Sequence, residues 1–233
     1  HDYSHYFFLL KIIYSNFHYF DQKALNLFLH ASCSYYTRIS QQLEVSKNVH
    51  DSFEYLHQIA PDSNSDQKNL EKLHFDFAVR SIKLDSLTKR YYGLSFIKNE
   101  LNFGKLDRDV LCIQLQKENT ISNLLSNMHD ELVIDFSSVF RIMAIRGCVS
   151  HNNLLTFWNI AIHKNPLTIE PYFTAWRLIY TGLPKELKDK LWEIICQSDV
   201  FPIASLQFIQ NIATSGVDEE NLMNLFRVLK EYY

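Results

Sequence analysis

Glycine and proline are scarce in this sequence, with five of each among 233 residues. A fold made of short strands needs a turn every ~8–12 residues, and so few turn-forming residues disfavour it. Long helices joined by short connections suit the composition better. The hydrophobic content of 47% is ample for a sizeable core, and the length allows one domain or two.

Several functional classes lack their usual signals. The formal net charge is −3, so no strong basic field is available to attract nucleic acid, and we expect no nucleic-acid partner. The sequence contains no G-x-x-x-x-G-K-[ST], G-x-G-x-x-G, H-E-x-x-H or G-x-S-x-G motif. Nucleotide-binding loops, zinc-protease helices and serine-hydrolase turns are therefore not indicated, and no cofactor is predicted.

No apolar run is long enough for a helix that crosses a bilayer. The most apolar early run, from Tyr6 to Tyr14, is interrupted by Lys11 and falls far short of the ~20 residues required. We interpret it as part of a helix from Tyr3 to about Phe20 that is covered on most sides. No signal peptide is evident, and because the sequence begins with His1 we expect a fragment of a longer protein without a membrane partner.

The four cysteines lie far apart among apolar residues, and none forms a C-x-x-C pair. They are Cys33, Cys112, Cys148 and Cys196. This pattern predicts buried thiols in a reducing compartment rather than disulfides, and no zinc-type spacing is present. We therefore expect an intracellular protein, in the cytoplasm rather than the nucleus, although no residue decides between these two locations.

Two short pairs have spacings that could carry chemistry. His1 and His5 are separated by four residues, as metal ligands on a helix can be. Cys148 lies three residues before His151, which allows a thiolate–imidazole pair. The first pair lies at the end of the sequence, and the second spans a predicted helix boundary without an orienting Asp or Asn. We assign neither pair a function, so the sequence predicts no catalytic, cofactor-binding or metal-binding residue, and it leaves the partner-binding residues unknown.

Apolar residues recur at steps of three and four along most of the chain, which is typical of amphipathic helices. In the segment around Ser86 to Leu101 the apolar positions are Leu84, Leu87, Tyr91, Leu94, Ile97 and Leu101. Gly93 interrupts this pattern, where it costs ~1 kcal/mol relative to Ala. A glycine at that position indicates close approach by a neighbouring helix.

Capping and stop residues divide the pattern into helices. The predicted N-caps are Asp21, Asp85 or Ser86, Ser150, Thr168 and Asp218, and the predicted stops or openings are Gly147, Gly182, Pro184 and Pro202. The polar stretch from Pro61 to Asn69 is predicted to be a long surface loop or a break between sub-bundles. Three tryptophans among apolar residues, Trp158, Trp176 and Trp192, are predicted to anchor the core.

About a dozen helices with short connections allow two architectures, a compact bundle or a right-handed stack of helix pairs. Most of the helices have a single apolar face, which favours the stack. Repeats of the HEAT or armadillo kind span ~40–47 residues, so the chain would hold about five of them. The sequence therefore predicts an all-α solenoid of stacked antiparallel helix pairs, as one domain over residues 1–233 with a possible break at 61–69.

One block is more specific than its composition. From Asn127 to Ile195 it contains, in order, a hydrophobic-Met step, an aromatic-Trp-Asn group, a His-Lys pair and a Leu-Pro step followed by spaced apolar residues. These pieces are Ile142-Met143, Phe157-Trp158-Asn159, His163-Lys164, and Leu183-Pro184 with Leu187, Leu191 and Trp192. An earlier group comprises Lys89, Arg90, Gly93, Leu94 and Ile97.

In order and spacing, these groups resemble the armadillo-like region upstream of the protease domain in very large ubiquitin-specific proteases of the fat-facets type. The resemblance covers about residues 84–213. The family's nucleophile box does not carry over, because no cysteine here follows Asn-Thr, and its His box is absent. The resemblance thus implies a non-catalytic module of a cysteine-type deubiquitinase whose catalytic domain is not in this chain.

Three functions fit these observations. The first is a protein-interaction scaffold of a large deubiquitinase, which holds ubiquitin-pathway substrates, an adaptor or other parts of the same polypeptide. The second is a HEAT or armadillo adaptor in transport or assembly that is unrelated to ubiquitin. The third is an enzyme with an unfamiliar helical active site, which would need a deep pocket with converging polar groups.

Overall fold

The predicted all-α class is confirmed. The computed structural model describes residues 4–39, 47–59, 65–214 and 219–232, and these ranges hold thirteen α-helices, two short 3₁₀ helices and no strand. Within the same ranges, no helix combines the length and the hydropathy needed to span a bilayer. The Asp218 cap prediction falls outside the described residues.

The chain divides into two compact units, His1–Arg108 and Asp109–Tyr233. The helices of the first unit are α1 (Ser4–Asn16), α2 (Gln22–Ile39), α3 (Lys47–Ile59), α4 (Ser65–Ile82) and α5 (Leu87–Phe103), with a 3₁₀ helix at Phe17–Tyr19. The helices of the second are α6 (Arg108–Lys117, which starts at the last residue of the first unit), α7 (Thr120–Ser126), α8 (Val133–Ile145), α9 (His151–Ile162), α10 (Glu170–Gly182), α11 (Lys185–Cys196), α12 (Ile203–Ala213) and α13 (Glu219–Tyr232), with a 3₁₀ helix at Asp130–Leu132.

The first unit is built around α4. This helix packs against α2, α3 and α5, and α1 lies against α3. The rings of Tyr14 on α1 and Tyr55 on α3 stack with centroids 4.4 Å apart. The buried core of these helices includes Leu10, Leu29, Tyr36, Phe53, Leu56 and Phe77.

Gly93 lies at the closest contact between α4 and α5. A Cβ atom at this position would lie 2.5 Å from the Ala78 carbonyl oxygen and 2.9 Å from Ser81 Cβ. Both distances are shorter than van der Waals contact, so only glycine lets the two helices approach this closely. The predicted reason for glycine inside this helix is confirmed.

In the second unit, the helices from α7 onward pack beside the helix two places along the chain. The adjacent pairs are α7 with α9, α8 with α10, α9 with α11, α10 with α12, and α11 with α13. The α8–α10 contact is the most extensive. There a Cβ at Gly182 would lie 2.5 Å from Arg141 Cγ, so this glycine also permits close packing.

Aromatic side chains fill the core of the second unit. The indoles of Trp158, Trp176 and Trp192 are at most 2% exposed, so all three predicted anchors are confirmed. Phe157 of α9 stacks on Trp176 of α10 with centroids 4.9 Å apart. The ring centroids of Phe208 of α12 and Trp158 of α9 are 6.1 Å apart, so α9, α10 and α12 share one aromatic cluster.

Most helix boundaries follow the predicted capping residues. Asp21 Oδ1 accepts a hydrogen bond from the Ala24 amide at 2.7 Å, as an N-cap does. Ser150 and Asn153 exchange hydrogen bonds in a capping box. The cap predicted at Thr168 is wrong by one residue, because Ile169 precedes α10 and provides no side-chain cap. Ser86 occupies the N-cap position of α5 without a side-chain hydrogen bond.

Three other sequence predictions are wrong in part. The polar loop predicted at 61–69 ends earlier, because Ser65 to Asn69 form the first turns of α4, where Asp66 suits the positive end of the helix dipole. Residues 61–64 are outside the described ranges. Leu84 and Tyr91, predicted on the apolar face of the α5 segment, are 37% and 45% exposed, while Arg90 between them is buried. The helix predicted to be covered on most sides, α1, is covered on one side only.

Replacing Gly93 with alanine should destabilise the protein. Alanine gains ~1 kcal/mol of helix propensity, but the contact with the Ala78 carbonyl forces α4 and α5 apart, and overpacking of this kind costs ~1–3 kcal/mol. We expect a net loss of ~1 kcal/mol in the free energy of unfolding, measured by urea denaturation. Asn99→Ala, at an exposed position of α5, is the control and should not destabilise. A Gly93→Ala variant as stable as Asn99→Ala would contradict the argument.

Candidate functional site

The outer side of α1 is apolar and uncovered. Tyr6, Leu10 and Ile13 point toward the core, while Phe8, Leu9 and Ile12 are 68%, 49% and 43% exposed on the opposite side. Exposed rings continue beyond the helix at Phe17, Tyr19 and Phe20. We call Phe8, Leu9 and Ile12 the α1 apolar face. Contiguous exposed apolar residues of this kind mark interaction sites.

A groove of about 670 Å³ lies on the inner side of α1, next to α2. Tyr6 lines it from α1, and Phe28, Tyr35 and Arg38 line it from α2. The Tyr6 ring packs on Tyr35 with centroids 4.8 Å apart, and burial raises the pKa of Tyr6 to about 12. The groove is thus lined by neutral rings, with one guanidinium among its lining residues.

None of the four cysteine thiols is activated. All four are free, and burial raises the pKa of each of them, to about 11 for Cys33 and Cys112. A thiol of this kind is protonated at neutral pH, whereas a nucleophilic cysteine needs a lowered pKa. Cys148 Sγ lies 3.6 Å from the Arg146 carbonyl oxygen, to which it donates, and His151 is exposed at the start of α9. The structure supplies no activation for the Cys148–His151 pair suggested by the sequence.

Three histidines of the first unit form a chain of contacts that the sequence analysis missed. His74 of α4 lies between two histidines of α3. Its Nε2 atom is 2.9 Å from His50 Nδ1, and its Nδ1 atom is 3.3 Å from His57 Nε2. Both ring nitrogens of His74 are therefore within hydrogen-bond distance of another imidazole. We call His50, His57 and His74 the histidine cluster.

Aromatic rings enclose the centre of this cluster. His74 is fully buried. Its ring stacks on Phe53 with centroids 4.6 Å apart and packs against Phe96 of α5 with centroids 3.6 Å apart. Burial lowers the pKa of all three histidines, to about 4 for His57, so the imidazoles are neutral at pH 7. A neutral imidazole has one N–H and one lone pair, so His74 can donate to one neighbour and accept from the other.

The same place holds one carboxylate within reach of the ring nitrogens. Ligand atoms of His50, Glu54 and His74 all lie within 4.8 Å of one another. Glu54 is exposed to solvent on one side, and partial desolvation of its carboxyl group, and secondarily Asp51, raise its pKa. Of the other candidates, His1 lies outside the described residues and His5 is exposed, so the His1–His5 pair gains no support.

The residues that carry the family resemblance mostly pack the core. Met143, Phe157, Trp158, Leu191 and Trp192 are at most 2% exposed. The His-Lys pair is different, because Lys164 Nζ donates to Asp130 Oδ1 at 2.8 Å and Tyr172 Oη donates to the same oxygen at 2.6 Å. These two hydrogen bonds lower the pKa of Asp130, and the bond from Lys164 has the larger effect. The network ties the connection after α9, and α10 itself, to the 3₁₀ helix before α8.

Comparison with protein-family models, with curated proteins and with solved structures finds no match to this chain. A functional hypothesis for it therefore rests on its fold, on the geometry of its sites and on the sequence resemblance.

Sequence reasoning missed the histidine cluster for a specific reason. His50 and Glu54 have the i, i+4 spacing that places two side chains on one helix face, and this local signal was visible. His74, which contacts His50 and His57 and also approaches Glu54, is 24 residues away from His50. Only the packing of α3 on α4 brings it to the pair.

Replacing Asp130 with asparagine should destabilise the protein in a pH-dependent way. Its pKa is lowered by folding from the usual 3.8, so its contribution is complete above that pH and is lost as the pH falls through the lower, folded-state pKa. Because the carboxylate is partly exposed and screened, we expect a loss of about 1 kcal/mol at pH 7 by urea denaturation.

The difference between the native protein and Asp130→Asn should shrink below pH 3.8. Tyr172→Phe removes one of the two hydrogen-bond donors to Asp130, so it should lower the free energy of unfolding less than Asp130→Asn does. Glu186→Gln removes a carboxylate paired with Lys190 on an exposed helix face and should leave stability nearly unchanged. A loss for Asp130→Asn that is the same at pH 7 and pH 3 would show that the charge is not responsible.

Proposed function

We propose that this chain is a non-catalytic protein-interaction module, and that the α1 apolar face is the surface that receives the partner. The single observation that carries this proposal is the two-sided apolar character of α1. A helix that is apolar all round is stable in water only when both sides are covered. Here the Leu10 side is covered by the first unit, and the Phe8 side is left for another molecule or another part of the polypeptide.

The partner's chemistry follows from this surface. Phe8 and Ile12 lie one helical turn apart with Leu9 beside them, which suits the apolar side of an amphipathic helix. Lys11 is the cation next to these residues, so an acidic flank on the partner helix would be favoured. A partner of this kind could be a ubiquitin-pathway substrate, an adaptor or a distant segment of the same chain.

We further propose that each unit is a short stack of antiparallel helix pairs, as in HEAT or armadillo repeats. Two series of contacts support this arrangement. In one, α8 packs on α10 and α10 packs on α12, and in the other, α7 packs on α9, α9 on α11 and α11 on α13. Side-by-side contacts between every second helix are expected when successive helices alternate between two layers. The contacts of α1 with α3 and of α2 with α4 follow the same rule.

The link to deubiquitinases is a proposal that rests on the sequence resemblance. It is supported by the way the resemblance residues are used, because Gly93 permits the α4–α5 contact and Phe157 and Trp158 centre the core of the second unit. Residues that define the packing of a module are the ones that a family of such modules would share. The proposed parent protein is a large ubiquitin-specific protease whose catalytic domain lies elsewhere in its sequence.

A ubiquitin cleavage assay tests the non-catalytic part of the proposal. The purified chain should not release the fluorophore from a ubiquitin C-terminal amide substrate, because the four thiols are protonated at neutral pH. Cys148→Ala is the matched variant, since Cys148 is the thiol of the Cys148–His151 pair. Cleavage by the native chain that is lost in Cys148→Ala would overturn the proposal.

Substitutions on α1 test the docking surface. Phe8→Gln with Ile12→Gln should leave the helical circular dichroism spectrum unchanged, because both side chains are exposed, and should abolish partner capture by the immobilised chain. Phe226→Gln is the matched control, since Phe226 on α13 is 64% exposed and Phe8 is 68% exposed. Partners retained by Phe226→Gln and lost by the α1 variant support the proposal. Identical partner sets for the two variants would contradict it.

An adaptor unrelated to ubiquitin would use the same surface, and the fold favours neither alternative. The partners captured in this experiment distinguish them. Enrichment of ubiquitin-pathway proteins, together with a cysteine-protease domain in the full-length reading frame, would support the deubiquitinase module. Enrichment of transport or assembly factors without such a domain would support the adaptor.

A further inference from the structure

The interaction role leaves one group of chemically capable side chains unused, at the contact of α3 and α4 in the first unit. His50 and Glu54 lie on one face of α3, one helical turn apart, and His74 faces them from α4. We propose that His50, Glu54 and His74 bind one zinc ion and thereby clamp α3 to α4.

The ligand types are those that zinc takes in proteins. Imidazole nitrogens and carboxylate oxygens bind Zn²⁺ at ~2.0–2.2 Å, and sets of two histidines and one glutamate are a known arrangement with a fourth position open to water or another ligand. All three ligand atoms lie within 4.8 Å of one another. That spread is small enough for one ion to contact all three after small side-chain rotations.

The two histidine nitrogens that would bind the ion need to move only slightly. His74 Nε2 and His50 Nδ1 are 2.9 Å apart. In a tetrahedral site with bonds of ~2.05 Å, two ligand nitrogens are ~3.3 Å apart. The pair must therefore open by ~0.4 Å. The proton that lies between the two nitrogens in the metal-free protein moves to the other nitrogen of its own ring, so that both neutral imidazoles present a lone pair to the ion.

His57 occupies the position of an orienting residue behind the site. Its Nε2 atom lies 3.3 Å from His74 Nδ1, the ring nitrogen that does not face the proposed ion. A metal-bound histidine usually donates its other N–H to an acceptor, which fixes the tautomer and the ring orientation. A neutral His57 can accept this N–H, and His74 then presents Nε2 as a lone pair to the metal.

The surroundings restrict water on one side and leave the other side open. The Phe53 and Phe96 rings pack against the His74 ring, and the centroid of the Tyr92 ring lies 5.3 Å from that of His50. Glu54 is exposed, so an ion can enter from the Glu54 side. An apolar shell around a nitrogen and carboxylate set strengthens the metal–ligand attraction.

A chain of neutral imidazoles joined by hydrogen bonds is the competing explanation for these distances. It needs no ion, since His74 can donate to one neighbour and accept from the other. The two explanations differ in the role of Glu54. The hydrogen-bonded chain does not use this carboxylate, whereas the zinc site requires it.

Titration with Co²⁺, a spectroscopic substitute for zinc, tests the proposal. The full chain, freed of any polyhistidine tag and treated with chelator, should bind one equivalent with the visible absorption bands of a four-coordinate site, and one equivalent of Zn²⁺ should displace it. The thermal unfolding midpoint should rise when Zn²⁺ is added. Absence of a saturable one-to-one spectrum would overturn the proposal.

Variants separate the zinc site from the hydrogen-bonded chain. Glu54→Gln keeps an exposed side chain of the same shape and should weaken Co²⁺ binding at least about tenfold. His50→Gln should do the same, and His57→Gln should weaken binding about tenfold to a hundredfold while keeping the four-coordinate spectrum. His30→Gln, which removes an exposed histidine paired with Asp66, is the control and should bind as the native chain does.

Two outcomes contradict the proposal. If Glu54→Gln binds Co²⁺ as tightly as the native chain, the carboxylate is not a ligand. If His30→Gln weakens binding as much as His50→Gln, the ion is held by surface histidines. Circular dichroism of each variant at pH 7 shows whether a loss of binding comes from a loss of structure.

Discussion

Each helix of this chain has an apolar side that becomes stable only when another helix covers it. This constraint explains the two glycines at helix contacts. Gly93 and Gly182 are the places where a side chain would hold neighbouring helices apart, by contact with the Ala78 carbonyl in one case and the Arg141 side chain in the other. The apolar gain of the close contact outweighs the low helix propensity of glycine there. The same constraint is unmet on the outer side of α1, and the proposed function depends on that.

Several buried polar groups follow a second rule, which is that a hydrogen-bond partner offsets the cost of placing a polar atom inside the protein. Trp158 Nε1 donates to Ser198 Oγ at 2.6 Å, and Glu100 accepts the Leu106 amide at 3.3 Å. His74 satisfies both ring nitrogens with other histidines instead of with backbone groups. A histidine is an unusual residue at this core position. An apolar or amide side chain such as Leu or Gln could pack against Phe53 and Phe96 without placing a titratable group beside His50, His57 and Glu54.

Sequence reasoning recovered what depends on local pattern. The helical class, the caps at Asp21 and Ser150, the glycine contact at position 93 and the three tryptophan anchors each depend on residues close together in the chain, and the structure confirms them. It failed where tertiary packing decides. Arg90 is buried and Tyr91 exposed because α4 lies on the Gly93 side of α5, and a hydrophobic pattern alone cannot select that side. His74 joins His50 for the same reason.

The tryptophans also have a consequence for spectroscopy. All three, at positions 158, 176 and 192, belong to the second unit, and the first unit contains tyrosines but no tryptophan. Indole emission excited at the red edge of protein absorption therefore reports only on the second unit, from Asp109 onward. The far-ultraviolet helical signal reports on both units together. A comparison of the two signals distinguishes one cooperative transition from two, without any label or substitution.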